Sequence, residues 1–430
     1  MNDSPSPRVC FLLMAPFTND ARVMREASAL VEAGYRVRVI GVHIPGRSQK
    51  QYTVNEIEVR HIVRIRLAPR SVRNVMERFA APAYSKGAAK KSGNRGGKSG
   101  SAAPLKKLRM VLAAAYLWAK GYLIQLNILL ISFQLARAAR EFCPDIIHAN
   151  DLVTLPAAWL CRKKKRQRIV YDSHEVAVER SNMNHPRLWG WIESKLSKKA
   201  DVIMFTTRTR AEDFARRYDR EVPEVIRNVP EYVNLERRRI FHELFGLPET
   251  EKIVLYQGGV FPGRGIENLV RVAAGISEGT VVIVGNGALK PHLLRMKEDL
   301  KIGDRLRFLD TVPLKDLPHY TASADIGIQI LQNINFNHYS TLSNKFFEYL
   351  MAGLPVVASD FPEIRRIATE FECGMLVDPD DEEQIAAAVN RLLEDDELRN
   401  RFSANARTAV KEHNWNNEKR RFIDLYAKLV

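Results

Sequence analysis

Closely spaced cysteine pairs are missing from this sequence of 430 residues. The four cysteines, Cys10, Cys143, Cys161 and Cys373, lie far apart. This spacing argues against a zinc site and against a disulfide framework, and a reduced compartment suits it. The N-terminus also lacks the pattern of a signal peptide, because its start is acidic and proline-rich and its short apolar run ends in a polar loop. We therefore expect a cytoplasmic protein.

Acidic residues are nearly absent from residues 60–109. This segment contains fourteen Lys or Arg and one acid, Glu77, so it supplies a net charge of +13 to a chain whose total is +16. Within it, residues 85–101 are rich in Gly, Ser and Lys, which predicts a disordered loop. A second basic run covers residues 162–168. Positive charge is therefore concentrated in the first half of the chain.

A mostly apolar stretch follows over residues 110–133 and includes Lys120, Gly121, Gln125 and Asn127. Its length is compatible with a transmembrane helix. The strands predicted before and after it must join one sheet, however, and a single span would place them on opposite sides of a membrane. Two interpretations stay open: an interfacial helix pair broken near Lys120 and Gly121, or a helix buried against its domain.

The neighbouring basic residues indicate a partner. A polybasic segment gains about 1 kcal/mol per Lys or Arg near an anionic leaflet, and an apolar helix beside it adds a second attachment. Nucleic acid is the rival partner, but the basic segment contains few aromatic residues, Phe79 and Tyr84, and no nucleic-acid-binding motif accompanies it. We expect peripheral attachment to the inner face of the cytoplasmic membrane and no nucleic acid.

Apolar patterns of strand and helix period alternate along the chain. At 430 residues and 46% hydrophobic composition, two domains are expected. A helical pattern over residues 21–33, ending at Gly34, connects the first two strands. Strands are predicted at residues 9–14, 37–42, 57–63, 145–148, 169–171 and 202–205, and then, after Asn228, at 253–256, 281–284, 306–309, 326–330 and 356–358. A last helix is predicted around residues 415–429. The alternation predicts two Rossmann-like α/β domains.

The segment SNKFFEYLMAGLPVVASD, residues 343–360, predicts the edge of a binding site. A helix capped by Ser343 or Asn344 would offer backbone N–H groups, Lys345 would add a positive charge, and Glu348 would supply an acceptor one turn later. The following apolar run predicts a buried parallel strand, and open α/β sheets bind ligands at such positions. A phosphate with a ribose beside it would fit. The alternative is a capped helix with a surface Lys and Glu.

The same segment resembles the donor-site signature of glycosyltransferase family 4. Further matches follow in the expected order: NDARVMREASALVEAGYRVRVI, DIIHANDL, IVYDSHE, VIRNVP, LYQGGVFPGRGIENLV, IVGNG and ASADIGIQI. The resemblance implies the GT-B fold, with two Rossmann-like domains that face a central cleft. It implies an acceptor domain over residues 1–228 with a basic and apolar insert at 66–140, a nucleotide-sugar donor domain over 229–412, and a helix at 413–430 that returns to the first domain.

Donor-site residues can be assigned from this resemblance. A glycine-rich turn that contains Gly259 lets the backbone approach a diphosphate, and Arg264 matches a diphosphate-binding base of the family. Many family members carry another base near Gly259. This sequence has none there, so Lys345 is predicted to share the role. Gly285 marks a second turn on the ligand side.

Only one of the family's two signature glutamates is present in this sequence. Glu348 matches the second glutamate, whose partner is the donor ribose, and Asn344 and Lys345 precede it on the predicted helix. The position of the first glutamate is occupied by Ser340. This departure leaves open how the donor hexose is held.

Acceptor-side and catalytic residues are predicted in the first domain. His174 follows a strand, and the resemblance places it against the transferred sugar; a structural histidine that caps the next helix or bonds Glu175 is the alternative. Asp20 and Arg22 resemble acceptor-side contacts, although Asp20 is also a good N-cap. His148 and Asp151 are predicted at the end of another strand.

No pair of carboxylates in the sequence stands out as an acid and a nucleophile. That fits the retaining mechanism proposed for the family, in which the donor phosphate takes the acceptor proton. The acids Asp378, Asp380 and Asp381 are predicted to cap a helix, so we expect no metal.

The expected function is transfer of a sugar from a nucleotide diphosphate sugar to a saccharide or lipid-linked acceptor of the cell envelope. An inactive GT-B protein that binds a membrane or polymer, and a nucleotide-sugar epimerase, are the alternatives.

Overall fold

A computed structural model describes residues 6–18, 20–64, 103–164, 166–180 and 183–430, with side chains from residue 121 onward in the helix that begins at residue 103. The predicted loop at residues 85–101 lies outside the described residues. Tertiary contacts divide the chain into two compact units. The first contains Met1–Asp172, Asn182–Asp201 and Val430, and the second contains Ser173–Ser181 and Val202–Leu429.

The first unit is built on a mainly parallel sheet. Its strands lie in the order β3-β4-β2-β1-β5-β6, and only β3 runs antiparallel to its neighbour. The strands are β1 Arg8–Leu12, β2 Arg36–Val42, β3 Gln51–Val54, β4 Ile57–Ile62, β5 Ile146–Asn150 and β6 Arg168–Ser173. The helices are α1 Ala21–Glu32, α2 Ala103–Phe142, α3 Leu155–Cys161 and α4 Pro186–Leu196. Fully buried β-branched and aromatic residues explain why β1 and β5 occupy the centre of the sheet.

Helix α2 corrects one prediction. It runs for 40 residues without interruption, so the break expected near Lys120 and Gly121 is wrong. A single glycine costs a helix only about 1 kcal/mol relative to alanine, and good helix formers surround this one. Gly121 instead permits close packing, because a Cβ on it would lie 2.8 Å from Nε2 of His185. The part from Ile131 onward packs on the sheet, whereas residues 122–130 are exposed or half-buried.

The second unit contains a six-stranded parallel sheet in the order β11-β10-β9-β12-β13-β14. Its strands are β9 Ile253–Gln257, β10 Thr280–Val284, β11 Leu306–Leu309, β12 Ile326–Gln329, β13 Val356–Ser359 and β14 Gly374–Val377. The strands β7 Val202–Phe205 and β8 Glu224–Val225 pair in parallel with each other. The main apolar core joins β9, β10 and β12 to the helices that cover them. Sequence periodicity predicted eleven of these fourteen strands, with both ends placed to within two residues; β3, β8 and β14 were missed.

Helices alternate with these strands. They are α5 Arg208–Tyr218, α6 Ile240–Phe245, α7 Ile266–Gly275, α8 Lys290–Asp299, α9 Leu317–Thr321, α10 Phe336–Tyr339, α11 Asn344–Met351, α12 Pro362–Phe371, α13 Glu382–Glu394, α14 Asp396–Glu412 and α15 Trp415–Ala427. Because α11 precedes β13 in a parallel sheet, its N-terminus lies at the edge where the strands have their carboxyl ends. This edge is where open α/β sheets bind ligands.

Candidate functional site

Two glycine turns meet at the carboxyl edge of the second sheet. Gly258 follows β9 with a φ of 126°, and Gly285 follows β10 with a φ of 146°. A Cβ on Gly285 would lie 1.9 Å from the carbonyl oxygen of Gly258, so only glycine permits this approach. At Gly259, a Cβ would lie 2.8 Å from the ring of Phe261. The exposed backbone of these turns forms one wall of the candidate donor site.

Lys345 supplies positive charge beside this wall. A Cβ built on Gly258 would lie 3.1 Å from its Nζ, so the Lys345 ammonium group covers the turn at the place where the sequence lacks a basic residue. Nζ lies 3.4 Å from the hydroxyl oxygen of Tyr256 and 4.6 Å from the centre of that ring. Burial, with a smaller contribution from the neighbouring Arg264, lowers the pKa of Lys345 to about 7. The protonated form of Lys345 is therefore unfavourable until an anion binds beside it.

Arg264 is the second cation of the site and is half-buried. Within the part of the chain that the structure describes, neither Arg264 nor Lys345 has a carboxylate within salt-bridge distance. The two half-buried cations repel each other, Glu348 offsets only part of this repulsion at Lys345, and the remaining positive charge favours binding of an anion.

Helix α11 contributes its N-terminus to the same place. Ser343 occupies the N-cap position as predicted, but its side chain does not cap the helix, because its hydroxyl donates to Oε1 of Gln329 at 2.6 Å. The N–H groups of Asn344 and Lys345 therefore remain available to a ligand, whereas that of Phe346 donates to the Ser343 carbonyl at 3.1 Å. Oδ1 of Asn344 is buried and accepts no hydrogen bond from the described residues.

A hydrogen-bonded network holds Glu348. Its Oε2 accepts a bond of 2.6 Å from Nε2 of Gln257, whose Oε1 accepts one of 2.8 Å from the Thr321 hydroxyl. The Gln257 backbone N–H donates to the Tyr349 hydroxyl at 3.0 Å. Gln257 had no role in the sequence analysis, although a polar side chain at the end of an apolar strand was a usable signal.

Ser340 cannot replace the missing glutamate. It is fully buried, its hydroxyl donates to the Phe336 carbonyl at 2.7 Å, and it accepts a 3.1 Å bond from Nε of Arg210. Arg210 also donates to the carbonyl oxygens of His174 and Asn337. Sequence analysis missed Arg210, because nothing local distinguishes it from the neighbouring arginines of α5.

His174 directly follows β6, as predicted, and its side chain is half-buried. Its carbonyl oxygen accepts bonds from Arg210 and from the Thr206 hydroxyl at 3.0 Å. Two residues later, Val176 exchanges two backbone bonds with the Asn337 side chain, at 2.8 and 3.0 Å. These contacts fix the backbone around His174, whereas its catalytic role stays a prediction.

A buried charge cluster occupies the first unit. Arg22 lies 2.9 Å from carboxylate oxygens of both Asp172 and Glu26. Burial opposes the charge of Arg22, but Asp172 and Glu26 outweigh it and raise the pKa of the guanidinium group. Ligand atoms of Glu26, His148 and Asp172 lie within 4.8 Å of one another, which is close enough for a metal ion. Since the Arg22 guanidinium already bridges both carboxylates, a metal would have to displace it.

Three acceptor-side predictions can be located in this unit. Asp20 accepts a 3.1 Å bond from the N–H of Val23 and thus caps α1, which was the alternative for this residue. The placement of His148 at a strand end is wrong. It lies within β5 and is fully buried, stacked on Phe11 at 4.2 Å, because β5 continues to Asn150. Asp151 follows the end of β5.

The acids near residue 380 serve local structure. Asp381 is the N-cap of α13 and accepts a 2.9 Å bond from the N–H of Gln384, as predicted. Asp378 accepts a 2.9 Å bond from the N–H of Asp380.

Comparisons with known proteins agree with this geometry. Residues 20–229 match the sequence model described as "Glycosyl transferase 4-like domain", and residues 237–409 match "Glycosyl transferases group 1". The D-inositol 3-phosphate glycosyltransferase of Salinispora arenicola is 26% identical over 325 residues, which is 69% of this chain and 70% of that protein. The enzyme of the same name from Corynebacterium glutamicum is 26% identical over 296 residues, covering 63% and 69% of the two chains.

Solved structures share the fold over nearly the whole chain. Sucrose-phosphate synthase from Thermosynechococcus elongatus has a TM-score of 0.68 at 18% identity and covers 98% of this chain and 99% of its own. Anabaena HepE in complex with UDP-glucose has a TM-score of 0.66 at 15% identity, with 98% and 99% coverage. The two family models and the fold thus define a GT-B glycosyltransferase that uses a nucleotide-sugar donor. The chain belongs to the glycosyltransferase family 4 type, as the sequence resemblance predicted.

Proposed function

We propose that this enzyme transfers a sugar from a nucleotide diphosphate sugar to a lipid-linked saccharide of the cell envelope, with retention of configuration at the anomeric carbon. The observation that carries the donor assignment is the pair of neighbouring cations, Arg264 and Lys345: Lys345 covers the turn at Gly258, and neither cation has a carboxylate within salt-bridge distance among the described residues. The N-terminus of α11 adds further N–H donors.

In the proposed reaction, the donor diphosphate binds between the glycine turns and the N-terminus of α11. The bond from the anomeric carbon to the diphosphate oxygen breaks while an acceptor hydroxyl oxygen bonds to that carbon on the same face. The acceptor proton passes to the departing phosphate oxygen, and Arg264 and Lys345 stabilise the negative charge that develops there. Glu348 accepts a hydrogen bond from the donor ribose, and His174 contacts the transferred sugar.

We further propose that this reaction needs no metal ion. The two cations and the helix terminus supply the positive charge that a divalent ion would otherwise provide. Arg22 bridges both buried carboxylates of the first unit, so a metal ion there would have to displace its guanidinium group. Transfer should therefore persist in excess chelator.

The acceptor proposal rests on the basic and apolar parts of the first unit. Residues 60–109 carry a net charge of +13. The adjoining helix contains a segment, Gly121–Phe142, that is long and apolar enough to cross a membrane by length and composition, and a third of it is buried. We propose that the protein attaches peripherally to the cytoplasmic face of an anionic membrane, where lipid-linked saccharides are accessible.

The donor assignment is tested by nucleotide binding. A thermal-shift panel of nucleotide sugars should identify the donor, because a ligand at ~100 times its dissociation constant adds ~2.7 kcal/mol of stability. Arg264→Ala should then weaken binding of the matching nucleoside diphosphate much more than binding of the nucleoside, while the exposed control Lys315→Ala leaves both unchanged. Equal diphosphate affinity in Arg264→Ala and the parent would refute the assignment. A protein that binds donors but never hydrolyses or transfers them would instead be an inactive GT-B binding protein.

A further inference from the structure

An apolar groove of about 670 Å³ opens on the surface of the first unit, between α2, α3 and α4. Its walls include Tyr122, Leu126 and Leu129 from α2, Pro156 from α3, and Leu188 from α4. None of the described residues that line it is charged. The volume falls in the range of pockets that hold small organic ligands.

The few polar side chains of the groove already have partners. Oε1 of Gln125 accepts a 3.0 Å bond from Nε1 of Trp189, and its Nε2 donates to the Asn184 carbonyl at 3.4 Å. The Ser132 hydroxyl donates to the Ile128 carbonyl at 2.9 Å. A ligand in the groove would therefore contact mainly apolar atoms, because the hydrogen-bond donors and acceptors named above are already paired. This favours a ligand without polar groups.

Large apolar side chains around the groove remain in contact with water. Leu123, Leu126 and Leu129 are each about 45% exposed, and Tyr122 is 53% exposed. A contiguous apolar patch of this kind marks a binding surface in a soluble protein. Beyond it, from Ile131 onward, the same helix is packed on the sheet, so the exposed part is a continuation of a well-anchored element.

Charge on the same helix indicates which apolar ligand fits. Lys106, Lys107 and Arg109 lie near the start of α2, and the sequence has no acid between Glu77 and Glu141. This arrangement of basic residues followed by an apolar surface complements a phosphate followed by a hydrocarbon chain. A second copy of this chain would bring the same basic residues with it, and like charges would oppose that contact.

We propose that this groove binds the hydrocarbon chain of an anionic membrane lipid, and that it holds the lipid part of the acceptor during transfer. The second part of this inference rests on the lipid-linked acceptor proposed above. Each methylene group that leaves water contributes about 0.8 kcal/mol, so a chain that fills the groove binds without any polar contact. The groove thereby selects acceptors that carry a long aliphatic chain.

A fluorescent fatty acid tests the groove independently of catalysis. A dansyl-labelled fatty acid below its aggregation concentration should bind the parent protein saturably. Leu126→Glu should weaken that binding about tenfold or more, because the new carboxylate would have to be desolvated by the chain. Leu314→Glu, at a position that is 83% exposed in the second unit, is the matched control and should bind as the parent does. Melting temperature and nucleoside diphosphate affinity should be equal in all three proteins, which shows that both units of each protein are folded.

The outcomes separate the groove from the proposed acceptor. Failure of the parent to bind the fatty acid, or equal binding by Leu126→Glu and Leu314→Glu, overturns the groove proposal. Dimerisation of the parent that Leu126→Glu abolishes, without fatty acid binding, overturns it in favour of a self-association surface. Binding in the groove together with full transfer to acceptors that lack a lipid supports the groove as a lipid site and refutes the lipid-linked acceptor.

Discussion

The low pKa of Lys345 makes donor binding pH-dependent in a way that can be calculated. Burial and the neighbouring Arg264 lower this pKa from an ordinary value of 10.5 to about 7. A bound diphosphate places negative charge near Nζ, so the complex should retain the proton over a much wider pH range. Above about pH 7, binding of the diphosphate should therefore be accompanied by uptake of one proton.

The magnitude follows from this proton uptake. Each pH unit above about 7 adds about 1.4 kcal/mol to the cost of protonating Lys345, so the dissociation constant should rise about tenfold per unit. Tyr256 and His338 do not titrate in this window, because burial raises the pKa of Tyr256 to about 12 and lowers the pKa of His338 below its usual value. The charge of the diphosphate is also constant there, because its last phosphate proton is lost near pH 6.

The lowered pKa of Lys345 also makes the folding stability of the ligand-free enzyme depend on pH. The unfolded chain binds more protons at this lysine than the folded protein between about pH 7 and 10.5. Stability of the ligand-free enzyme therefore gains a contribution as the pH rises through this window. Lys345→Met should remove that pH-dependent contribution.

Isothermal titration calorimetry in buffers of different ionisation enthalpy measures both the affinity and the proton uptake. Lys345→Arg keeps a permanent charge, so its diphosphate affinity should not vary over this pH range. Lys345→Met should bind weakly at every pH, and Lys315→Met is the exposed control. A parent dissociation constant that is the same at about pH 7 and about pH 9, or a pH dependence that persists in Lys345→Arg, would refute the reasoning.

Three further substitutions test the remaining parts of the site. Glu348→Gln should stay folded, because its amide oxygen can still accept the bond from Gln257. Binding titration should show an affinity for the donor that is about tenfold lower or more. An unchanged Michaelis constant and turnover would mean that Glu348 has no role in donor binding. His174→Ala should lower turnover on the order of 100-fold with nearly unchanged melting, and loss of the fold in a melting scan would support the structural alternative. Arg210→Ala should lower the free energy of unfolding by ~3 kcal/mol or more, because buried acceptors lose their donors. The control Arg208→Ala on the same helix removes an exposed ion pair with Glu212 and should change the free energy of unfolding by less than ~0.5 kcal/mol. Equal urea denaturation curves for the two variants would contradict the anchoring role of Arg210.

Local patterns in the sequence determined the α/β class and most of the strands. Parallel strands that are buried on both faces appear in the sequence as short continuous apolar runs, and the helices between them show apolar residues at helical spacing. The missed strands show the limit: β3 alternates exposed and half-buried residues, and β8 has two residues, so neither produces an apolar run. Family 4 motifs also singled out Arg264, Lys345 and Glu348 as candidates for the donor site, because each lies in a segment that is recognisable alone.

Only the tertiary structure decided how residues that are distant in sequence meet. The position of Lys345 over Gly258 depends on the packing of α11 against β12, the neighbour of β9 in the sheet, and the pKa of Lys345 depends on the burial that results. Arg210 reaches Ser340 across 130 residues of sequence, a pairing that no periodicity encodes. The continuity of α2 and the groove beside it likewise depend on which apolar side chains pack against other residues and which stay exposed. Sequence determines which residues are apolar or charged, whereas burial and hydrogen-bond partners are set by the folded packing.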